Sequence, residues 1–202
     1  MNLYPKKYNK KLKIVSYKQI KIISGKWRGR KLFFRSYNNL RPTRNKIKET
    51  LFNWLNPFIQ NSNCLDCFAG TGSLGFEALS RFAKSVTFIE LNKNNINFLL
   101  KNKKQLQADN ITIINKDILT ITNEIKNIFD IIFIDPPFYK GLIYKSIQFL
   151  EKKQFLSNKS LIYIESESNL ILVNVPINWE LRHEKISGQV AYRLFYRKQN
   201  IK

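Results

Sequence analysis

The sequence predicts an α/β fold: an open, mostly parallel sheet flanked by helices, behind a small basic amino-terminal extension. Three observations carry this. From residue 61 onward, short apolar runs alternate with segments of helical periodicity, as expected of strands covered on both faces. The first run leads into a glycine-rich turn, GTGSLG at Gly70–Gly75, that opens a helix. The charge lies mostly ahead of both: residues 1–48 hold 16 Lys/Arg and no acid, whereas residues 49–202 hold 19 Lys/Arg against 14 acids.

Three regions follow in order. Residues 1–18, MNLYPKKYNKKLKIVSYK, read as a basic, disordered arm. Residues 19–60 form a basic hairpin and helix expected to bind nucleic acid. Within them KQIKIISGKWRGRKLFF gives two short strands around Gly25 and Gly29, with Trp27 between basic residues. RPTRNKIKETLFNWL gives a helix: Thr43 caps its start, Ile47, Leu51, Trp54, Leu55 and Phe58 form an apolar stripe, and Pro57 closes it. Residues 61–202 form the α/β domain. NCLDCF is its first strand, SLGFEALSRF a helix, SVTFIEL a strand, and NKNNINFLLKNKKQLQ a polar helix with an apolar stripe. ITIINKD and DIIFID are the third and fourth strands, followed by a helix around Ile143 to Leu150 and the strand SLIYIES. Two alternating stretches about Gly188 and Gln189 make a closing hairpin. Strands alternating with helices imply right-handed crossovers between parallel neighbours.

Composition narrows the function. A formal net charge of +21 and a pI near 10.0 call for a polyanionic partner, and the loading of one quarter of the chain points to nucleic acid. No apolar run reaches the roughly 18 residues that span a bilayer, and the Lys-rich start lacks an apolar signal core, so a soluble, cytoplasmic protein is expected. Cys64 and Cys67 are the only cysteines, and His183 is the only histidine. No second Cys/His pair completes a metal shell. In a strand the two cysteines face opposite sides, and core packing is their expected role.

In an open parallel sheet, ligands bind at the carboxyl ends of the strands. The first strand carries Asp66 there, the second ends at Glu90, the third runs into Asp117, and the fourth ends at Asp135. Singly, Asp66 could cap a turn, Glu90 could be a solvated strand end, and Asp117 could cap the next helix. Together, carboxylates on one rim raise each other's pKa unless a cation or hydrogen-bond donor joins them. The glycines admit close approach of backbone to ligand, which suits NAD or S-adenosyl-L-methionine alike. Glu90, twenty residues after Gly70, suits ribose hydroxyls in either. A dehydrogenase also needs a pyrophosphate site and a proton-transfer group, for which His183 is poorly placed. S-adenosyl-L-methionine carries a sulfonium and ammonium for Asp66, ribose hydroxyls for Glu90 and an adenine amine for Asp117.

IDPPF, residues 134–138, is the most specific signal. An exocyclic amine on a nucleobase is a weak nucleophile because its lone pair is delocalised into the ring. Asp135 accepting one N–H and the Pro136 carbonyl accepting the other favour pyramidal nitrogen and free that pair. Pro136 and Pro137 stiffen the turn, and Phe138 can stack on the base. The base must leave any stack it occupies. No metal is required.

GKWRGRKL, RPTRNKIKETLFNWL, LDCFAGTGSLGFEALSR, IDPPF, LIYIESE and GQVAYRL together resemble the bacterial 16S rRNA guanine-N2 methyltransferases of the RsmD type, over about Ile20 to Arg197. The resemblance implies a seven-stranded, mostly parallel, Rossmann-like class I methyltransferase fold. It implies S-adenosyl-L-methionine as cofactor, and 16S rRNA within the small ribosomal subunit as partner, with guanine 966 methylated by a monomer. Carried over by position, Asp66, Phe68, Ala69, Gly70, Thr71 and Gly72 form the first cofactor motif, Glu90 and Leu91 the ribose contact, and Asp117 and Ile118 bracket the adenine. Asp135, Pro136, Pro137 and Phe138 form the reacting motif. Asn92 stands where relatives often carry an acid, and Thr71 where serine is common. Lys26, Trp27, Arg28, Arg30 and Arg41 are then candidate RNA anchors, pairing phosphate contacts with one stacking surface. Two alternatives stay open: a DNA adenine methyltransferase and a non-catalytic ribosome assembly factor.

Overall fold

The computed structural model describes residues 17–35, 43 and 45–199. An antiparallel pair, β1 (Tyr17–Lys21) and β2 (Lys31–Arg35), precedes helix α1 (Asn45–Leu55). The sheet that follows has seven strands: β3 (Asn63–Asp66), β4 (Ser85–Ile89), β5 (Ile111–Ile114), β6 (Phe129–Ile134), β7 (Leu156–Glu167), β8 (Trp179–Ser187) and β9 (Val190–Arg197). Their order is β5-β4-β3-β6-β7-β9-β8. The first five are parallel neighbours, and β9 pairs antiparallel with both β7 and β8. The strand order reverses between β3 and β6. That switch point opens a crevice beyond their carboxyl ends, where Asp66 and Asp135 stand.

Alternation along the strands decides which face each side chain serves. Cys64, Ile131, Phe133, Leu161 and Tyr163 join one buried cluster, and Leu65, Cys67, Ile132, Ile134, Ile162 and Ile164 join the other. The two cysteines therefore lie on opposite faces, as expected. Burial pushes the Cys64 thiol up to about 12 and that of Cys67 well above its usual value. The first face is covered by α1, by α2 (Ser73–Ser80) and α3 (Lys93–Leu106), and by the hairpin. The second carries α4 (Leu142–Lys153), a 3-10 turn at Ile118–Thr120 and the segment 170–175. Right-handed βαβ geometry distributes helices to both faces in this way.

Helix α1 buries Ile47, Leu51 and Leu55 as the periodicity predicts, but its face is rotated from the expected one. Phe52 and Lys48 are fully buried, Trp54 is half-buried, and Phe58 lies past the helix end and is 54% exposed. The burial of Lys48 has a partner: its Nζ lies 3.3 Å from Oε2 of Glu77 on α2 and donates to the Lys21 carbonyl at 3.0 Å. Glu77 also accepts the backbone N–H groups of Ile23 and Ser24 at 2.8 and 3.0 Å and the Arg81 Nε–H at 3.0 Å. One buried carboxylate thus fastens the extension, α1 and α2 together.

The hairpin docks on the far end of α2. Lys26 N–H donates to the Ser80 carbonyl and Trp27 N–H to Ser80 Oγ. Only glycine fits at position 25, since a Cβ there would stand 1.8 Å from the Ser80 oxygen. On β2, Phe33 exchanges two 3.0 Å hydrogen bonds with the side-chain amide of Asn102 on α3. Among the described residues, no helix is long and apolar enough to cross a membrane.

Candidate active site

The glycine turn bends because its backbone is held at both ends. The Ala69 N–H donates to the Ile89 carbonyl at 2.9 Å, and the Gly72 N–H to the Ala69 carbonyl at 2.6 Å. Gly72 has φ +76°, where an L side chain is strained, and a Cβ would stand 2.6 Å from Phe76 and Leu99. The third glycine serves packing: a Cβ on Gly75 would meet the Phe88 ring at 2.3 Å, so α2 lies directly on β4. Phe68 is half-buried against the second core, and Thr71 is buried, its Oγ1 accepting from the Ser73 N–H.

Asp66 caps this turn from below. It is 2% exposed, and its Oδ2 accepts the Gly75 N–H at 3.2 Å. Burial raises its pKa from 3.8 to about 7, opposed by the Gly75 hydrogen bond and reinforced by the charge of Glu90. Glu90 bridges the rim: Oε2 accepts the Gly70 N–H and Oε1 the Asn92 N–H, each at 2.7 Å. Each of its oxygens keeps a second lone pair for a ligand. Leu91 beside it is 67% exposed.

At the third strand, Asp117 adopts the capping geometry, its Oδ1 accepting the Leu119 N–H at 2.9 Å ahead of the 3-10 turn. Ile118 is 1% exposed in the second core, so a ligand at this position would meet its backbone rather than its side chain. Asn115, which carries no motif in the sequence, ties the two strand ends together. Its amide donates to the carbonyls of Glu90 and Leu91 at 2.8 and 3.0 Å.

Asp135 follows β6 at the switch point. Loss of water pushes its carboxyl well above the usual range, with further upward pushes from Glu165 and Asp66. Against these, the Thr43 hydroxyl donates to Asp135 Oδ2 at 3.3 Å. Thr43, read from sequence as a helix cap, thereby links the residue ahead of α1 to the segment IDPPF. The next residues form a turn in which Pro136 is buried, Pro137 exposed and Phe138 half-buried. Tyr139, 77% exposed at φ 59°, is held in this conformation by its N–H donating to Glu167 Oε1. Beside the turn lies a cavity of about 490 Å³, whose walls include Pro136, Pro137, Phe138, Tyr139, Tyr144 and Glu167.

Three of the four expected rim acids thus act on one another electrostatically, with Asp66 between Glu90 and Asp135. Sequence reasoning missed Glu165 and Glu167, 6% and 7% exposed at the end of β7. A signal for them exists, since LIYIESE ends a parallel strand next to β6.

The candidate RNA anchors separate. Lys26, Arg28 and Arg30 are exposed, and Arg30 Nη2 donates to the Gln105 carbonyl. Trp27 corrects the expected stacking surface: it is 7% exposed and packs in the first core, with Lys26 Nζ 5.7 Å from its ring centroid. Its place against Ser80 leaves no face for a base. Arg41 lies outside the described residues.

A sheet of this order, with a glycine turn and acids on the rim of its switch point, is the fold of the Rossmann-like methyltransferases. A profile of the family described as Conserved hypothetical protein 95 matches residues 20–196. Ribosomal RNA small subunit methyltransferase D of Escherichia coli is 47% identical over 89% of this chain and 90% of its own. The protein of that name from Buchnera aphidicola (Acyrthosiphon pisum) is 47% identical over 88% and 93%. The solved structure of Escherichia coli yhhF, a methyltransferase by description, has a TM-score of 0.81 at 45% identity, covering 91% of this chain and all of the other. The chain belongs to the ribosomal RNA small subunit methyltransferase D family.

Proposed function

We propose that this chain transfers a methyl group from S-adenosyl-L-methionine to the exocyclic N2 amine of one guanine of 16S rRNA in the small ribosomal subunit, acting as a monomer in the cytoplasm. The observation that carries this is Asp135, a carboxyl at the switch point, followed at once by the rigid Pro136-Pro137-Phe138 turn and neighboured by Asp66. Relatives named as small-subunit methyltransferases support the substrate class.

The donor set fits the cofactor. A carboxyl held out of water at Asp66 gains from a cation beside it, which a sulfonium and an ammonium supply. Glu90 presents acceptor lone pairs beside the glycine turn, as ribose hydroxyls need. Asp117 and the Ile118 backbone stand one strand further out, in reach of an adenine. When bound, S-adenosyl-L-methionine supplies a methyl group on a positively charged sulfur that departs readily.

The chain's own residues do the rest. Asp135 as a carboxylate accepts one N–H of the guanine amine, and the Pro136 carbonyl accepts the other. These bonds stabilise positive charge as it develops on nitrogen, and the proton that the nitrogen sheds on gaining the methyl group leaves along its bond to the Asp135 carboxylate. Phe138 supplies a face for the base, and the adjoining cavity of about 490 Å³ gives an extruded nucleotide room. Exposed Lys26, Arg28 and Arg30 hold phosphate. The loop that carries them docks at Ser80, roughly 12 Å along α2 from the glycine turn at 1.5 Å per residue, away from the reacting base.

The test is to incubate the protein, isotopically labelled methyl donor and unmodified small subunits, then map the label by mass spectrometry. N2-methylguanine at one position of 16S rRNA is expected. Methylated adenine in DNA, with guanine untouched, would instead make it a DNA enzyme. Failure to bind the donor would make it a non-catalytic factor.

A further inference from the structure

Asp135 must do two things for the proposed reaction: present an oxygen in a fixed direction, and be ionised when the amine arrives. Its surroundings bear on both. The Thr43 hydroxyl, on a residue only 4% exposed, donates to Oδ2 at 3.3 Å. On the other side lies β7. Ile134, the last residue of β6, pairs with Ile164 on a strand about 4.8 Å away, so Asp135, just past that pair, stands next to Glu165, whose charge acts on it. Both follow the alternation of Phe133 and Tyr163 toward the face that α1 covers. Glu165 is itself held in place, its Oε2 accepting the Tyr163 hydroxyl at 2.8 Å.

Resting on the methyltransferase reading, we propose that Thr43 and Glu165 are positioning residues that act through Asp135: Thr43 fixes one carboxyl oxygen so that the other faces the acceptor amine, and Glu165 sets the charge that Asp135 carries. Among the described residues, the ionisable groups that act on this carboxyl include Asp66 on β3 and Glu165 and Tyr163 on β7, and Tyr192 on β9 acts in turn on Tyr163. Lys48 on α1 is engaged by Glu77. Thr43 and Glu165 push in opposite senses. A donor hydroxyl favours the carboxylate, whereas a neighbouring negative charge disfavours it. The cleft thus holds Asp135 at a balance that donor binding, by bringing a cation, tips toward the ionised form.

The experiment compares T43V, T43S and E165Q in kcat as a function of pH, with donor affinity measured separately. T43V keeps the shape and loses the donor, so the acid limb of the profile moves to higher pH and kcat at neutral pH falls about tenfold. T43S restores both. E165Q keeps an acceptor for Tyr163 and loses the charge, so its acid limb moves to lower pH. Compared at a pH high enough for Asp135 to be ionised in every variant, donor affinity stays within about threefold, since none of these side chains is placed at the donor. Side-chain carboxyl NMR titration of Asp135 in the donor-free protein gives a readout independent of turnover, with the same opposite displacements. Should E165Q fold poorly, the double variant Glu165→Leu with Tyr163→Phe replaces it, removing the charge together with its hydroxyl partner, and Asp135 ionises at lower pH. Asp135 titrating unchanged, or moving the same way in T43V and E165Q, would overturn the inference. Wild-type methylation of small-subunit RNA is the control. Its absence would sink the functional reading, while the NMR titration would still decide the roles of Thr43 and Glu165.

Discussion

Replacing Asp66 with asparagine should make the ligand-free protein more resistant to unfolding at alkaline pH while weakening its hold on the methyl donor. The magnitude follows from burial. Asp66 is 2% exposed, and its pKa rises from 3.8 to about 7 on folding, chiefly from loss of water. At 1.36 kcal/mol per pH unit, ionising this carboxyl in the folded protein costs on the order of 4 kcal/mol more than in the unfolded chain. Because the folded value lies above the unfolded one, the favourable contribution is complete below about pH 4 and is lost as pH rises through 7. Asparagine does not ionise, and its carbonyl can still accept the Gly75 N–H. Urea unfolding at a series of pH values should show the variant gaining on the wild type by about 4 kcal/mol between roughly pH 4 and pH 8. In calorimetry below about pH 7, the wild type should release more protons than the variant as the cationic donor binds, the difference being the proton of Asp66. A stability difference that stays constant with pH, and donor binding that moves no proton in the wild type, would refute the reasoning.

Other substitutions probe other links. Asp135→Ala should cut the methylation rate by about 10²-fold or more, the scale of removing one charge-stabilising group, with donor affinity nearly unchanged. A wild-type rate would leave the mechanism without support. Glu77→Ala strips a buried carboxylate from Lys48, Arg81 and two backbone N–H groups, and should cost about 3–5 kcal/mol in urea unfolding. A cost under about 1 kcal/mol would mean that the extension is held by other interactions. Lys26→Ser with Arg28→Ser should weaken RNA binding and flatten its salt dependence by about 0.7 for each phosphate no longer neutralised, leaving donor affinity intact. An unaltered salt slope would move the RNA anchor elsewhere.

The domain was legible because parallel strands advertise themselves. VTFI and IIFI are almost wholly apolar, since each lies in a strand covered on both faces, and the acids that end the strands stand out in a chain of 35 basic residues. The sequence shows that Asp66, Glu90 and Asp135 share a rim, but spacing along the chain cannot reveal strand order. The apposition of Asp135 and Glu165 needed β6 and β7 to be neighbours, and that pairing spans 30 residues. Thr43 shows what local pattern leaves out. A threonine before a helix reads as a cap from local pattern alone, and only packing of α1 on the sheet turns its hydroxyl to Asp135, 92 residues away. Trp27 was misread for the same reason. Flanking lysine and arginine suggest a surface, yet Gly25 lets the loop press onto Ser80 and drives the ring inward. Lys48, charged and at a helical position, gave no sign of burial until Glu77 supplied a partner.

The most direct test of the proposed mechanism is a crystal structure of this chain with S-adenosyl-L-methionine or its demethylated product. The charged end should lie against Asp66, the ribose hydroxyls on Glu90 and the adenine between Asp117 and the Ile118 backbone, with the sulfur facing Asp135 across the cleft. The cofactor lodged away from the carboxyl ends of β3 and β4, or with its sulfur turned from Asp135, would contradict the mechanism.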